Sequence, residues 1–391
     1  MRDDSKRNTR LIHDGSHPLD QSGIVNPPIY RASTVDYGTI AEMESLRSNP
    51  NDNFVYGRIG NPTAKAFEEA VAHLEEAERT IAVGSGLAAI SAAMLAFLRS
   101  GDHILVCDNA YSPTRNLAER FLKRFGIETT YYDPSIGSSI SNLFRTNTKV
   151  IYTESPGSHT FEIQDIPAIT NAAHNKNIKV VMDNTWGSGF FFKPFEHGVD
   201  ICVQAATKYL VGHSDAMVGT ISVSGENIEP VINSVRILGY NISPDDAFMA
   251  LRGMRTLNVR LKRHETNGLK VAQWLGKRKE IDQILHPALS SCPGHDIWKR
   301  DFTGSNGLFG VVFKTLSEHA LYAFIDGLKL FRLGGSWGGY ESLVLPTEVT
   351  RTATKWEHVN RSIRFHIGLE DPDDLISDIE QSLESMEKLI H

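Results

Sequence analysis

The sequence predicts an α/β protein: a mostly parallel sheet covered by helices on both faces, followed by a smaller C-terminal α+β unit. Three observations point there. The chain has 391 residues, more than one hydrophobic core accommodates, so two packed units are expected. Between residues 63 and 203, short β-rich apolar runs alternate with stretches of helical period, the pattern of parallel strands joined by helical crossovers. Past residue 250 that alternation gives way to a long helical stretch, two isolated β-runs and a closing helix.

Residues 1–60 have no sustained periodicity and are rich in Asn, Pro, Ser and Asp, as in Ser48–Asn53. Such an arm cannot build its own core and is expected to lie along another surface, such as a second subunit. From Thr63 apolar residues recur at Phe67, Val71 and Leu74, which predicts a helix. β-runs at Thr80–Val83 and His103–Cys107 flank a helix expected over Ser85–Leu98, and another helix is expected from Ser112 to Phe125. Further β-runs follow at Lys149–Thr153, Ile178–Asp183 and Val199–Val203. Val218–Val223 comes too soon after the last of these for a helical crossover, so it is expected to run antiparallel. A helical stretch over Phe248–Leu275, β-runs at Leu308–Phe313 and Ser362–Ile367 and a helix over Pro372–Leu389 complete the chain. The expected division is an arm over 1–60, a large unit over 61–250 and a C-terminal unit over 251–391.

Composition removes several function classes. A 41% hydrophobic and 22% charged chain is an ordinary globular one. The net charge of −7, with no basic run, argues against nucleic-acid and anionic-membrane partners. No apolar stretch approaches a membrane span and no secretory signal opens the chain. Cys107, Cys202 and Cys292 are odd in number and far apart, which suits reduced thiols in a cytoplasm rather than a disulfide framework. His213 is the most ligand-like histidine, but no second histidine stands at metal spacing, so no metal is expected.

The chemistry-bearing residues gather at the ends of these runs. Gly84-Ser85-Gly86-Leu87 follows a predicted strand and opens a helix, where unpaired N–H groups and the helix dipole favour a phosphate. Continued through Ala88 and Ala89 the string also fits a dinucleotide fingerprint, with Asp108 at the end of the next strand as its acid. A dinucleotide fold opens with this unit, whereas here residues 1–83 precede it; phosphate binding is the stronger reading, and a plain tight turn the bland one. Asp183 ends an apolar run and can either cap the next turn or face a cofactor ring nitrogen. Lys208 follows the next apolar run, among Ala205, Ala206 and Thr207, and is placed to capture a carbonyl. Taken singly each residue has an ordinary structural reading. Together they converge on one carboxyl edge of an open sheet, where ligands of such sheets gather. Tyr111, just past another strand end, can stack on a ring or pack over a helix start. Arg364, inside an alternating strand, can clamp a carboxylate or point to solvent. Ser336-Trp337-Gly338-Gly339-Tyr340 is a glycine-rich turn with two aromatics, suited to a loop over a pocket or to a hairpin.

These strings resemble a known family. Asp183-Asn184-Thr185, Ala206-Thr207-Lys208-Tyr209-Leu210 and Gly212-His213-Ser214-Asp215 look like the signature of the transsulfuration enzymes that act on cysteine, homocysteine and methionine precursors through pyridoxal phosphate (PLP). Tyr56-Gly57-Arg58, Gly84-Ser85-Gly86, Ser336–Ser342 and Arg364 with Gly368-Leu369-Glu370 fall in the family's order, so the resemblance runs from about Thr9 to the end. Glu154-Ser155-Pro156-Gly157, Gln204–Asp215, Trp298–Gly304 and His366–Asp371 resemble the bacterial cystathionine β-lyase branch in particular. The resemblance implies the PLP-dependent transferase-like fold (fold type I) and β-elimination of a thioether amino acid such as cystathionine. A γ-lyase or γ-synthase on the same scaffold is the alternative, and a non-catalytic PLP- or dinucleotide-binding protein is more remote. It implies that Lys208 holds PLP covalently, that Asp183 faces the ring nitrogen, and that Tyr111 stacks on the ring and assists catalysis. Gly84, Ser85, Gly86, Leu87 and Thr207 would surround the phosphate, with Tyr56 and Arg58 reaching the phosphate of a neighbouring subunit. Arg364 would clamp the substrate carboxylate beside Ser336, Trp337 and Tyr340. A cytoplasmic homo-oligomer, a tetramer of active dimers, is implied as well. Two positions depart from relatives: Ala205 stands where many carry Ser, and Gly335 where some carry Glu or an aromatic.

Overall fold

A computed structural model describes residues 5–49, 51, 53–314 and 317–390. Pro50 and Asp52 of the Ser48–Asn53 stretch lie outside the described residues. The first sheet has seven strands: β1 (Arg79–Val83), β2 (His103–Cys107), β3 (Glu128–Tyr132), β4 (Thr148–Glu154), β5 (Lys179–Asp183), β6 (Ile201–Gln204) and β7 (Gly219–Val223). Their order is β1-β7-β6-β5-β4-β2-β3. The pairs β2·β3, β2·β4, β4·β5 and β5·β6 are parallel. The one reversed strand is β7, antiparallel to both β1 and β6, as its short connection to β6 requires.

Burial on both faces explains why the central strands read as continuous apolar runs. Neighbouring residues go to opposite cores: Ala82 and Met182 pack with Phe67, Val71 and Leu74 of the helix Pro62–Glu75, while Val83 and Val181 pack with Ile90 and Met94 of the helix Gly86–Leu95. Each fully buried aliphatic side chain contributes roughly 1.5–3 kcal/mol, which fixes the sheet between its two helical layers. Caps set the helix starts: the Asn61 and Ser85 side chains accept the Ala64 and Ala88 N–H groups.

The second sheet has five strands: β8 (Ile281–Leu285), β9 (Leu308–Phe313), β10 (Arg332–Leu333), β11 (Leu343–Pro346) and β12 (Ser362–His366), in the order β10-β11-β12-β9-β8. The helix Leu257–Leu275 straddles the two units, with Leu257 and Leu261 in the first core and Val271 and Leu275 in the C-terminal one. The change of core therefore falls inside a helix rather than in a linker.

Several expectations change in detail. The stretch Phe248–Leu275 is two helices, Pro244–Met254 and Leu257–Leu275, broken where the Arg255 guanidinium turns to the Leu11 and Asp14 carbonyls. The helix expected over Ser112–Phe125 is α only to Asn116, then a wider π turn and a tighter 3-10 turn to Phe125. β3 gave no sequence signal because it is an edge strand with polar residues at Glu128, Thr129 and Thr130. In the second sheet β10 is two exposed residues long, below the length at which alternation can be read.

The arm carries two helices, Arg7–His13 and Ile40–Ser48, and among its described residues only Leu11 and Val55 are buried apolar ones. It crosses the large unit through a few polar ties: Thr63 Oγ1 donates to the Pro28 carbonyl, and Arg31 pairs with Asp245 at 2.6 Å.

Candidate active site

The exits of β1, β2, β4, β5 and β6 open on one cavity of about 510 Å³, closed on its far side by β12 and the loop before β11. Asp183 ends β5 and is 8% exposed. Its Oδ1 accepts the Thr185 N–H and hydroxyl, at 2.9 and 2.5 Å, and its Oδ2 accepts the Tyr152 hydroxyl at 3.3 Å. Burial raises its pKa, while these bonds and the Lys208 charge act the other way. The Thr185 hydroxyl also accepts the Ala205 N–H at 2.9 Å, which ties the exit of β5 to the exit of β6.

Lys208 follows β6 in a tight turn, with its N–H bonded to the Ala205 carbonyl. Its Nζ donates to Ser336 Oγ at 2.8 Å and lies 5.7 Å from the centre of the Trp337 ring. Burial pulls the amine down to about 8, the Arg364 charge acts in the same direction, and Asp183 opposes both. An amine in that range is available as a nucleophile and base near neutral pH. Arg364 projects from β12, 5% exposed, and its Nη2 donates to the Gly335 and Ser336 carbonyls at 3.1 and 3.0 Å. Among the described residues no carboxylate pairs with it, and burial lowers its pKa to about 10. A buried guanidinium without a counter-ion is costly and is matched by an anionic ligand.

The helix Gly86–Leu95 starts at the cavity wall, where its first N–H groups have no intrahelical partner and Ser85, Gly86 and Leu87 line the space. A Cβ at Gly86 would stand 2.6 Å from the Ala205 Cβ, so the glycine and the small residue at 205 are packed as a pair. Thr207 lines the cavity too, but its hydroxyl donates to the Val218 carbonyl at 3.1 Å and accepts the Val218 N–H at 2.9 Å. A phosphate contact from that hydroxyl requires it to turn away from Val218. Tyr111 lies across the cavity, 43% exposed; burial and then Glu154 and Asp183 raise its phenol pKa, and Arg364 acts against them.

Other expected residues stand apart. Tyr56 and Arg58 do not line this cavity; Arg58 Nη1 donates to the Arg236 carbonyl at 3.2 Å on the outer surface. Tyr340 is 55% exposed and also lies outside the lining, unlike its neighbours Ser336 and Trp337. Gly84 sits one residue short of the lining, and His213 Nδ1 is satisfied by the Val211 carbonyl at 2.7 Å. The dinucleotide alternative is overturned. β1 pairs with β7 at the sheet edge, far from β2, and Asp108 is already used. Its carboxylate accepts the N–H groups of Thr352, Ala353 and Thr354 and the Arg115 guanidinium, latching the C-terminal loop to the exit of β2.

Sequence reasoning missed Glu154 as a site residue. It lines the cavity beside Asp183, and its Oε2 accepts the Tyr111 N–H at 2.8 Å. The signal was available, since an acid ends the β4 run as Asp183 ends β5. His159, also in the lining, holds a left-handed backbone (φ +65°), and burial with the Arg364 charge lowers its pKa to about 4.

A neutralisable amine, a strand-end carboxyl, a helix start and an uncompensated guanidinium around one cavity fit a carbonyl cofactor with a phosphate and an amino-acid substrate. Comparison with known proteins agrees. The crystal structure of metB from Corynebacterium glutamicum superposes with a TM-score of 0.90 at 32% identity, over 98% of this chain and 99% of that one. A cystathionine β-lyase of Escherichia coli is 39% identical over 386 residues, 96% of this chain and 98% of its own. A Rhizobium johnstonii relative provisionally named cystathionine β-lyase is 46% identical over 379 residues, 96% of this chain and 95% of its own. The model of the Cys/Met metabolism PLP-dependent enzyme family matches residues 8–384, and the chain belongs to that family.

Proposed function

We propose that the protein is a carbon–sulfur lyase that cleaves L-cystathionine by β-elimination to homocysteine, pyruvate and ammonia. The observation that carries the reading is the convergence of Lys208, Asp183 and the uncompensated Arg364 on one cavity. The choice of substrate and bond is supported by the names of relatives at 39% and 46% identity.

Lys208 would hold PLP, Asp183 would face its ring nitrogen, and Ser85, Gly86 and Leu87 at the helix start would receive its phosphate. PLP, when bound, supplies an electron sink for negative charge developing at the substrate α-carbon. Arg364 binds the α-carboxylate through its planar fork, taking up the charge it lacks in this cavity. The Lys208 amine would be freed when the substrate's own amine takes its place; low enough in pKa to be neutral at mildly alkaline pH, it would then remove the α-proton. Asp183, held by Thr185 and Tyr152, would serve as the ionised partner of the ring nitrogen. Lys208 or Tyr111 returns a proton to the departing sulfur. Ser336, bonded to Lys208 Nζ and lending its carbonyl to Arg364, keeps the base and the clamp in register. A Cβ at Gly335 meets nothing within 4 Å, so the substrate's distal end has room there.

We place Tyr56 and Arg58 on the phosphate of a second subunit, in a tetramer of active dimers in the cytoplasm. Their position outside their own chain's cavity supports this reading, as do the three buried free cysteines for a reducing compartment. Among the described residues no helix is long and apolar enough to cross a membrane.

The keto acid released from cystathionine tests the reading. Pyruvate in equal amount with homocysteine is expected; 2-oxobutyrate with cysteine establishes γ-cleavage instead, and no keto acid removes the proposed substrate.

A further inference from the structure

Two acidic groups stand side by side at the sheet edge, and the reaction described above uses only one. Glu154 ends β4, Asp183 ends β5, and they are register partners on adjacent parallel strands. Both line the cavity. The oxygens of Asp183 are taken by Thr185 and Tyr152, whereas Glu154 Oε2 reaches across the sheet edge to the Tyr111 N–H at 2.8 Å. The neighbouring Ser158 N–H donates to the Asn109 carbonyl at 3.0 Å.

The Tyr111 carbonyl accepts the Thr114 and Arg115 N–H groups of the following helix, and Glu154 holds the other side of the residue, its N–H. Among the described residues its phenol makes no hydrogen bond, and it heads the short helix Ser112–Asn116 without a capping side chain. Its ring is therefore located through its backbone, at the end of the loop that leaves β2. Glu154 grips that backbone from the strand next to β2, and its own backbone is fixed by the β4·β5 ladder. Both carbonyl-cofactor stacking and proton delivery depend on ring position, and a displacement of about 1 Å at a reacting group costs on the order of a hundredfold in rate.

We infer that Glu154 is a positioning residue of this site: its carboxyl group holds the Tyr111 backbone at the exit of β2 and thereby sets where the phenol stands over the Asp183 side of the cavity. This rests on the role given to Tyr111 under the proposed function.

The test is a double-mutant cycle of Glu154→Ala and Tyr111→Ala, with Glu154→Gln as the conservative variant. Each protein is prepared without cofactor and titrated with PLP, the binding being followed through the fluorescence of Trp186 and Trp337 in the cavity wall. The unfolding midpoint, kcat and KM for cystathionine are measured beside it. Glu154→Ala is expected to weaken PLP binding about tenfold and lower kcat about tenfold or more, with KM changed less than threefold. In the Tyr111→Ala background the same change should add less than twofold, because nothing is left to position. Glu154→Gln keeps an oxygen for the Tyr111 N–H and should lose about threefold. Equal losses in both backgrounds overturn the inference, as does a lower unfolding midpoint with PLP affinity and kcat within twofold of the parent. If Glu154→Ala does not fold, the cycle with Glu154→Gln decides between the same outcomes. PLP affinity does not involve cystathionine, so a wild-type protein that releases no pyruvate but shows this coupling removes the proposed substrate and leaves Glu154 in its role.

Discussion

At the carboxyl edge of the large sheet, polar side chains are enclosed and tied to one another; along the N-terminal arm, large apolar side chains stand in solvent. Asp183 has three hydrogen bonds from this chain alone, and Arg364 is held by two carbonyls. Leu19 and Val25 in the arm are 94% and 74% exposed, with Ile24 beside them at 58%. The difference shows what one chain supplies by itself. It brings Lys208, Asp183 and Arg364, to which we assign the base, the ring partner and the carboxylate clamp, into one cavity, and it leaves the arm's apolar side chains exposed and Tyr56 and Arg58 outside that cavity.

The largest effect belongs to the edge. Lys208→Ala should lower kcat by about 10³-fold or more while the unfolding midpoint moves little, because only one half-buried amine is removed. A variant that kept its turnover would break the assignment of this edge as the reacting centre; a steady-state assay beside thermal unfolding decides.

Arg364→Met sharpens the comparison from the side of stability. Removing an uncompensated buried cation should stabilise the cofactor-free protein, by about 1 kcal/mol or more in urea unfolding. The same change should raise KM for the substrate by roughly a hundredfold, since about 2–5 kcal/mol of carboxylate binding is lost. A loss of stability would mean that the guanidinium is satisfied within the chain and is not reserved for a ligand.

A smaller effect is readable without turnover. With the amine held down to about 8, Lys208 is protonated and unreactive below that pH and free above it. Its labelling by a small acylating reagent in the cofactor-free protein should therefore rise with a midpoint near 8, whereas exposed lysines rise near 10.4. A midpoint with the other lysines would show that the cavity does not desolvate this amine.

The sheet and its reactive edge were legible in the sequence because buried parallel strands leave unbroken apolar runs, and the residue after each run is forced onto the same edge. That logic placed Asp183, Lys208 and Tyr111, and applied evenly it would have placed Glu154 as well. What stayed hidden depends on partners distant in sequence. Asp108 fits a dinucleotide fingerprint that its place in the chain already disfavours, but its real partners, the backbone N–H groups of Thr352–Thr354, cannot be read from the sequence. The hydroxyl of Thr207 looked free for a phosphate, and Val218 already engages it. Tyr340 looked like a pocket aromatic, but the turn at Gly338, with φ +84° and its Cβ position against the Lys208 backbone, brings Trp337 in and leaves Tyr340 outside. Strands as short as β10 carry too few residues for a period to show.

The claim that the two regions complete one another across chains is tested most directly by mixing inactive subunits. Lys208→Ala chains and Tyr56→Phe/Arg58→Ala chains, unfolded together and refolded with PLP, should regain about a quarter of the wild-type activity, since half of the dimers are mixed and each holds one intact site. Activity that never rises above that of the separate variants, in a sample shown to contain mixed dimers, would contradict a site built from two chains.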